Sequence, residues 1–537
     1  MKEYIVVANN EPDIDSLHAE LTTVTATNLA VDQKVIPGRP VQVANARLGN
    51  RRITHYYLTD SEAQALACDA RVVAVHTPPD PDTRTKFVTQ RSRAYNGVAG
   101  NYNRTSSVDQ YNINWGLRRT SLTTAENRPG NTYEYDVDGT GVDVIIMDDG
   151  VQVDHPDLLD ATGVSRVQQI NWYTATGIPG TMPPNHYVCN NYGDGEHGTH
   201  VATTACGKTF GYAKGSRIYS LRIFGNSQQT IPEADQFDLI RVFHEKKPVD
   251  PRTGVKRPTI VNMSWGYRWF YSNNSFFGNN NIRTINYRNT VYNYGSAPVS
   301  PKVEFGQKPG GSHGIVVPSV NAEQQDAEDS GVIFVHSAGN SAHKIDRLGG
   351  VDYNNHYTIG ESFGGLIPAG QPIYYHRGGS PQSNQAITVS AAREIPAFHN
   401  KRNMEVVDTY SERGPGCDVL APGTNICAGT SKVASYGGQQ EYVWGRNNNA
   451  DRSHRVVKIS GTSMAAPQVA GVLALYLSRN PTATPAQARA WIARTGVKNQ
   501  ILTSVINNDW TNGNAMLGGP NNYLFNPYRF NFRDRTK

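Results

Sequence analysis

The sequence predicts an α/β fold in which an open, doubly wound parallel sheet follows a small α+β unit. Three observations predict it. Short apolar runs, typical of buried parallel strands, alternate with helical stretches from about residue 114 to residue 500. Residues 1–80 contain strand-like runs and two helical patterns of their own. The chain of 537 residues is also about three times the usual size of one domain, so more than one folded unit is expected.

The N-terminal unit is assigned to residues 1–80. Thr59 offers an N-cap for its second helix, and Glu62, three residues later, completes a capping box. Apolar spacing predicts the other elements. The predicted strands are 4–8, 51–58 and 71–75, and the predicted helices are 13–21 and 63–67.

Residues 81–113 are rich in Thr, Arg, Asn, Ser and Gly and show no clear periodicity. We interpret them as a linker that is exposed enough for proteolysis, and therefore as the candidate region for a processing site.

Residues 114–537 are predicted to form the larger domain. Its last helix is well marked, with Thr484 as N-cap and Pro485 at the first position. In doubly wound sheets ligands bind at the carboxyl ends of the strands, so chemistry is expected there. Predicted strands are 142–147, 218–223, 259–263, 332–336 and 386–390; predicted helices are 200–206, 233–244, 463–477 and 485–495. Stretches rich in Gly, Tyr and Asn are predicted as surface insertions at 267–330, 341–385 and 432–456.

Composition excludes several classes of protein. The net charge is +5, from 51 Lys and Arg against 46 Asp and Glu, which gives no case for a nucleic acid as the main partner. No apolar run approaches the roughly 18 residues of a membrane span. The N-terminus lacks the pattern of a secretory signal, so we expect a protein that is cytoplasmic as synthesised or a component of a virion or other assembly. Five cysteines form no metal-type cluster, and their odd number does not suit a complete disulfide framework.

Three short motifs fall at strand ends or helix starts. Asp148 lies at the end of a predicted buried strand, where a carboxylate can orient a histidine. If this motif is considered without the other two, an ordinary Asp-Gly turn is the better interpretation. His197 lies before a helix and can serve as a general base, although a capping loop or a metal site with His200 would also fit. No third ligand lies nearby, which disfavours zinc. Ser463 lies at a predicted helix N-terminus, where free backbone N–H groups favour an oxyanion. The alternative is that the serine only caps the helix.

Taken together, the motifs indicate catalysis. The order Asp, His, Ser is that of subtilisin, and the blocks at 148–150, 197–200 and 461–467 closely resemble those of the subtilisin-like serine peptidases, or subtilases. Further blocks resemble the family at 115–117, 211–222, 262–266, 337–340 and 421–423, so the resemblance extends over most of residues 114–500.

The resemblance implies a role for each motif residue. Ser463 would be the nucleophile, His197 the general base and Asp148 the residue that orients it. Asn340 and the Ser463 N–H would bind the oxyanion. Extended peptide substrate would pair with the strand that carries Ser264, Trp265 and Gly266.

The resemblance also implies how the protein is made. The larger domain is similar to proteinase K-like enzymes, and residues 1–80 resemble the ferredoxin-like, inhibitor-type prodomain of the family, which would be an intramolecular partner; an unrelated small domain is the alternative. No cofactor is required for this chemistry. Calcium commonly stabilises the family, but no binding loop can be matched and no metal ligand is assigned.

Two residues depart from the usual pattern. Asp149 stands where Ser or Thr is usual, as in kexin- and furin-like relatives, which also share Ser-Trp-Gly at the substrate strand. Asp149 is therefore a candidate contact for a basic residue of the substrate. The alternative is that its side chain only caps the turn. Glu196 replaces a glycine before the histidine, either adding a charge beside His197 or facing solvent.

Two functions follow. The first is a serine endopeptidase acting on protein or peptide substrates, made as a self-inhibited precursor. The second is a structural or assembly protein, for example in a virion, that uses the same fold with low or blocked activity. The intact Asp148, His197, Ser463 and Asn340 favour the first.

Overall fold

The computed structural model describes residues 1–23, 30–31, 34–35, 40–45, 51–80, 83–86, 114–123, 133, 135–271, 282–293, 311–359, 370–381, 385–395, 404–433, 441–443, 454–501 and 516–528. Most of the predicted linker 81–113 and of the predicted insertion 432–456 lies outside these ranges.

The N-terminal unit is a four-stranded antiparallel sheet with two helices on one face. The capping box of Thr59 and Glu62 is present, as the sequence predicts. The helices bury Ile14, Leu17 and Leu66 against one side of the sheet. In spatial order the strands are Val43–Asn45, Ile53–Leu58, Lys2–Ala8 and Val72–His76, and the helices are Glu11–Thr23 and Asp60–Leu66.

The centre of the larger domain is a predominantly parallel sheet, as predicted. All neighbours in it are parallel except the edge pair Val497–Lys498 with Asn522–Tyr523 and the added strand Met404–Val407. In spatial order its strands are Val497–Lys498, Asn522–Tyr523, Val419–Pro422, Ile387–Ile395, Ile333–Ser337, Thr259–Met263, Asp143–Asp148, Arg217–Arg222 and Val167–Gln168.

Both faces of this sheet are buried, because alternate residues of its strands contribute to two separate cores. Val144 and Ile146 pack on the side of the helix Thr462–Arg479, whereas Ile145 and Met147 pack on the side of the helix Gln236–Lys246. This explains why the strands appear in the sequence as continuous apolar runs.

The helices of the larger domain are Trp115–Arg119, Trp172–Thr176, Glu196–Cys206, Gln236–Lys246, Pro318–Asp329, Thr462–Arg479 and Pro485–Thr495, with 3-10 turns at Pro156–Leu158 and Glu233–Asp235.

Smaller sheets surround this core. One has the strand order Gly311–Gly314, Trp265–Tyr271, Arg84–Lys86. The others comprise Ile282–Tyr287, Thr290–Asn293, His356–Ile359 and Pro372–Tyr374; Ile426–Thr430, Glu441–Val443 and Arg455–Ile459; Val249–Asp250 and Val255–Lys256; and Ala30–Val31 with Lys34–Val35. No helix among the described ranges is long and apolar enough to cross a membrane.

Two of the predicted surface insertions need correction. The interval 267–330 contains the helix Pro318–Asp329, which buries Val320 and Ala327 in the core of the larger domain. The interval 341–385 contributes Tyr357 and Tyr375 to the same core. Gly, Asn and Tyr enrichment was the signal for surface loops, but these tyrosines lie in or beside paired strands and pack inward.

Candidate active site

Asp148 ends the central strand Asp143–Asp148 and is fully buried. Its Oδ1 accepts a hydrogen bond from Nδ1 of His197 at 2.8 Å and one from the backbone N–H of Asp149 at 2.8 Å. A carboxylate only accepts, so the Nδ1 of His197 carries a proton, and Nε2 of the neutral ring is left as an acceptor. Burial raises the pKa of Asp148, and the neighbouring His197 opposes that rise. The pair therefore holds the tautomer that a general base needs.

His197 is the second residue of the helix Glu196–Cys206, which begins four residues earlier than the sequence predicts. Gly195 supplies no side-chain cap. The Asp149 carboxylate caps the helix instead: Oδ1 accepts from the N–H of Gly198 at 2.7 Å, and Oδ2 from that of His197 at 3.2 Å. A Cβ at position 198 would lie 2.2 Å from the carbonyl oxygen of Gly150, so only glycine fits between the histidine helix and this turn.

Ser463 is the second residue of the helix Thr462–Arg479 and is buried. Its Oγ donates to the carbonyl oxygen of Ser264 at 2.9 Å. Asn262 pairs with Ile146 on the neighbouring parallel strand, so Ser264, two residues later, reaches the same edge of the sheet as Asp148. The described residues provide no hydrogen-bond partner for the buried Nε2 of His197. The serine–histidine hydrogen bond is therefore not formed in this structure.

Asn340 follows the strand Ile333–Ser337, and its side-chain amide is held through the oxygen atom Oδ1. Its Oδ1 accepts from the N–H of Thr462 at 3.0 Å and from the Thr462 hydroxyl at 2.9 Å. Its Nδ2 is buried and has no partner among the described residues. An oxyanion site requires a fixed N–H donor that has no other acceptor. Nδ2 of Asn340 meets this requirement, because Thr462 at the N-terminus of the helix Thr462–Arg479 holds the Asn340 side chain in place.

The match to a family model decides the family. The model described as "Subtilase family" matches residues 139–515, which include all four of these residues. The chain belongs to the subtilase family. The resemblance to subtilisin-like peptidases is thereby confirmed, whereas the kexin- and furin-like features and the inhibitory role of the N-terminal unit stay predictions.

The relatives of this subtilase are distant. The chain is 25% identical over 407 residues to the subtilisin-like proteinase Spm1 of Pyricularia oryzae, covering 73% of this chain and 53% of the relative. It is 25% identical over 391 residues to proteinase R of Parengyodontium album, covering 72% of this chain and 66% of the relative. Among solved structures, fervidolysin from Fervidobacterium pennivorans aligns over 98% of this chain and 60% of its own, with a TM-score of 0.48 and 19% identity. The match thus spans about half to two thirds of the length of these curated relatives.

In this subtilase the strand Trp265–Tyr271 begins directly after Ser264. The Ser264 hydroxyl accepts from Nδ2 of Asn262 at 2.9 Å and donates to the carbonyl oxygen of Ser463 at 3.0 Å. Ser264 thus joins the start of this strand to the serine helix. Trp265 and Gly266 pair with Lys86 and Thr85 of the chain itself.

Asp149 lies beside the hydrogen-bonded pair Asp148 and His197, and its carboxylate holds a basic side chain. Its Oδ2 accepts from Nζ of Lys86 at 2.7 Å, and only 4% of the Asp149 side chain is exposed. Burial alone would raise the pKa of Asp149, but the charge and hydrogen bond of Lys86 and the N–H of Gly198 hold it below its ordinary value. A lowered pKa keeps Asp149 ionised, so the ion pair persists from neutral pH and is lost only as the pH falls through that lowered value.

Two residues of this site were not identified from the sequence. Thr462 lies inside a recognised motif, but its role could not be predicted from that motif. Thr462 orients Asn340, which lies 122 positions earlier in the chain. Lys86 lies in a segment without periodicity, and no local pattern indicates it. Glu196 is half-buried; its charge is among the weaker influences that raise the pKa of Lys86 against the lowering effect of burial.

His200 proves to be structural. Its Nε2 lies 3.1 Å from the carbonyl oxygen of Ile426 and 3.2 Å from that of Val457, and burial lowers its pKa to about 3. Within the described ranges no three His, Cys, Asp or Glu side chains gather as metal ligands. All five cysteines are among the described residues, and none forms a disulfide.

Proposed function

We propose that this subtilase is a serine endopeptidase. The observation that carries the proposal is the buried hydrogen bond between Asp148 and His197, with Ser463 and Nδ2 of Asn340 at the same edge of the sheet; that Nδ2 has no partner among the described residues. In a packed core such polar groups are normally satisfied. An acceptor nitrogen and a donor amide left unsatisfied beside a serine indicate that a reacting group fits there.

The mechanism follows from the positions of these atoms. The Ser463 hydroxyl exchanges the Ser264 carbonyl for Nε2 of His197 and loses its proton to that nitrogen as Oγ attacks the scissile carbonyl. Asp148 keeps the ring oriented and stabilises its protonated form. Nδ2 of Asn340 and the N–H of Ser463 donate to the oxygen that becomes negative. His197 then protonates the leaving amine, and a water molecule hydrolyses the ester.

The strand Trp265–Tyr271 is proposed to bind the substrate. Extended peptides bind exposed strands by adding a further antiparallel strand, with backbone hydrogen bonds giving affinity. The chain's own residues Arg84–Lys86 already lie along this strand in that way. Their presence supports the proposed binding mode and also implies that the site is occupied before any substrate arrives.

The N-terminal unit is proposed to be the inhibitor that holds this segment in place. The free face of its sheet contributes Ile5, Val7 and Ile53 to a cluster with Ala322 of the helix Pro318–Asp329. Nε of Arg52 lies 3.0 Å from Oδ1 of Asp326 on the same helix. Apolar burial together with a largely buried ion pair supports a stable, intramolecular contact.

Asp149 is proposed to select a basic residue second from the scissile bond on its amino side. We expect Asp149→Asn to reduce the preference for Lys over Ala at that substrate position by about tenfold, since a close charge pair in a desolvated site contributes at least that much. Measuring kcat/KM for matched peptides of both kinds tests this. Glu196→Gln removes a nearby charge whose influence on Lys86 is weaker than that of Asp149, so it should change the ratio much less. An unaltered preference in Asp149→Asn contradicts the assignment.

The endopeptidase proposal is tested by labelling with a fluorophosphonate probe. Wild-type protein should react at Ser463 and hydrolyse an unstructured protein such as casein, whereas Ser463→Ala should do neither. Circular dichroism shows whether both are folded. A folded wild-type chain that takes no label, even after mild proteolysis removes the N-terminal unit, would instead support the structural or assembly role.

A further inference from the structure

A buried ion pair packs against the loop that carries Asn340. Nη2 of Arg268 donates to Oε1 of Glu412 at 2.5 Å, and no more than 3% of either side chain is exposed. A Cβ at position 339, next to Asn340, would lie 2.7 Å from Nη1 of Arg268 and 2.8 Å from Oε2 of Glu412. The glycine at this position therefore lets both charged groups approach the backbone of the loop.

Glu412 holds the backbone on both sides of Asn340. The N–H of Glu412 donates to the carbonyl oxygen of Gly339 at 2.8 Å. Burial raises the pKa of the Glu412 carboxyl; the charge and hydrogen bond of Arg268 oppose that rise, and so does a hydrogen bond from the backbone N–H of Ser341. The residue that carries the proposed oxyanion donor is thus bracketed by two hydrogen bonds to one buried glutamate.

Arg268 joins Glu412 to two strands of one small sheet. Arg268 lies in the strand Trp265–Tyr271, which is proposed to bind the substrate, and the neighbouring strand Gly311–Gly314 contains Ser312. Nε of Arg268 donates to the Ser312 hydroxyl at 2.7 Å, and Nη2 donates to the Ser312 carbonyl oxygen at 2.7 Å. Because the guanidinium is planar and rigid, these bonds also fix the position of the Glu412 carboxylate.

The direction of the Asn340 amide depends on what holds this residue from behind. Its Nδ2 has no partner among the described residues, so nothing on the donor side orients it. Thr462 holds Oδ1, and the backbone from which the side chain projects does the rest. Groups that act on a transition state must be held to within about 0.5 Å of the productive geometry. A backbone fixed on both sides meets that requirement.

We propose that Glu412 and Arg268 are positioning residues for the oxyanion donor. Glu412 fixes the backbone of Asn340, and Arg268 fixes Glu412 and connects it to the strand proposed to bind the substrate. Neither side chain touches the reacting atoms. The inference rests on the proposed endopeptidase function and on the proposed role of Asn340.

The test is a double-mutant cycle between Glu412→Gln and Asn340→Ala. Glu412→Gln keeps the backbone N–H and the size of the side chain but removes the charge that Arg268 holds. Alone, it should lower kcat by about tenfold or more and leave KM within about twofold, since a misplaced donor fails only in the transition state. In the Asn340→Ala background it should change kcat by less than about twofold, because the donor that it positions is absent.

A second variant separates the role of the pair from folding. Glu412→Gln leaves the Arg268 charge buried without its counter-ion, which is destabilising, whereas Arg268→Met combined with Glu412→Met removes both charges and is expected to fold. The double variant should also lower kcat by about tenfold or more with little change in KM. If Glu412→Gln does not fold, the same cycle with Asn340→Ala is measured on this double variant.

The chain offers a matched control in a second buried ion pair. Nη2 of Arg119 donates to Oε2 of Glu405 at 2.6 Å, and this pair joins the helix Trp115–Arg119 to the strand Met404–Val407. Arg119→Met combined with Glu405→Met removes a buried Arg–Glu pair of the same kind. It should change the thermal midpoint of unfolding about as much as the first double variant does and leave kcat within about twofold of wild type.

Every chain is expressed at full length, and kcat and KM are measured on one peptide after the same mild proteolysis. An equal loss of kcat in both backgrounds would indicate a general structural effect and overturn the inference, as would an unchanged kcat in a folded variant or an equal loss in the control pair. Any of these results in a wild-type chain that labels at Ser463 leaves the endopeptidase function intact. A wild-type chain that takes no label overturns both.

Discussion

Ser463→Ala is expected to lower kcat by about 10⁶, the size of the loss that removal of the catalytic serine or histidine causes in subtilisin. The reason lies in the site itself. In the proposed mechanism Ser463 Oγ is the nucleophile, and it exchanges its hydrogen bond to the carbonyl oxygen of Ser264 for one to Nε2 of His197. The residual rate should stay above that of water, because Asn340 still stabilises an oxyanion.

His197→Ala should cost about as much as Ser463→Ala, and the double variant should lose little more. The two residues act as one unit, so removing either abolishes the proton transfer that the other needs. Steady-state kinetics on one peptide, measured with mature protein of each variant, tests this. The N-terminal unit is removed from every variant, and from wild type, by the same added protease.

The matched control for this prediction is Ser478→Ala. Ser478 lies near the other end of the same helix, Thr462–Arg479, and its hydroxyl donates only to the carbonyl oxygen of Leu475. It should leave kcat unchanged. If the double variant lost far more than either single variant, or if Ser463→Ala retained a substantial rate, Ser463 and His197 would not form the proposed unit.

Asn340→Ala is expected to lower kcat by about 10²–10³ with little change in KM. The figure is the one known for the oxyanion asparagine of subtilisin. Nδ2 of Asn340 is buried and unpartnered in this state. It therefore gains its hydrogen bond only when an oxygen acquires charge in the transition state, and such a donor affects kcat and not ground-state binding.

Two variants separate this effect from a loss of structure. Asn340→Asp keeps the acceptor that Thr462 binds but removes the donor, so it should lose kcat to a similar extent while preserving the thermal midpoint of unfolding. Asn480→Ala changes an exposed asparagine directly after the helix Thr462–Arg479 and should leave kcat unchanged. An unchanged kcat in Asn340→Ala, or a change confined to KM, would remove Asn340 from the oxyanion site.

Much of the fold could be predicted because its signals are local. The capping box at Thr59 and the N-cap at Thr484 formed as predicted, since each joins atoms three residues apart. The strands of the central sheet were recognisable because burial on both faces requires continuous apolar runs. The residues proposed for catalysis were recognisable for a related reason: tight glycine turns and small side chains surround each of them.

Local patterns failed where the deciding contact comes from a distant part of the chain. The histidine helix starts at Glu196 and not at residue 200 because its cap is Asp149, which lies in the turn after the strand Asp143–Asp148. The tyrosine-rich stretches looked like surface insertions, yet Tyr357 and Tyr375 are buried by strands that pair only in the folded protein.

For this subtilase the sequence alone determined the family, the parallel sheet and the four residues proposed for chemistry, because each depends on short motifs or on the periodicity of burial. The tertiary structure determined which residue pairs with Asp149. Lys86 reaches Asp149 across 63 positions of the chain. That pairing depends on how the N-terminal unit packs against the larger domain and on the register of one antiparallel strand pair, and neither can be derived from the spacing of residues along the chain.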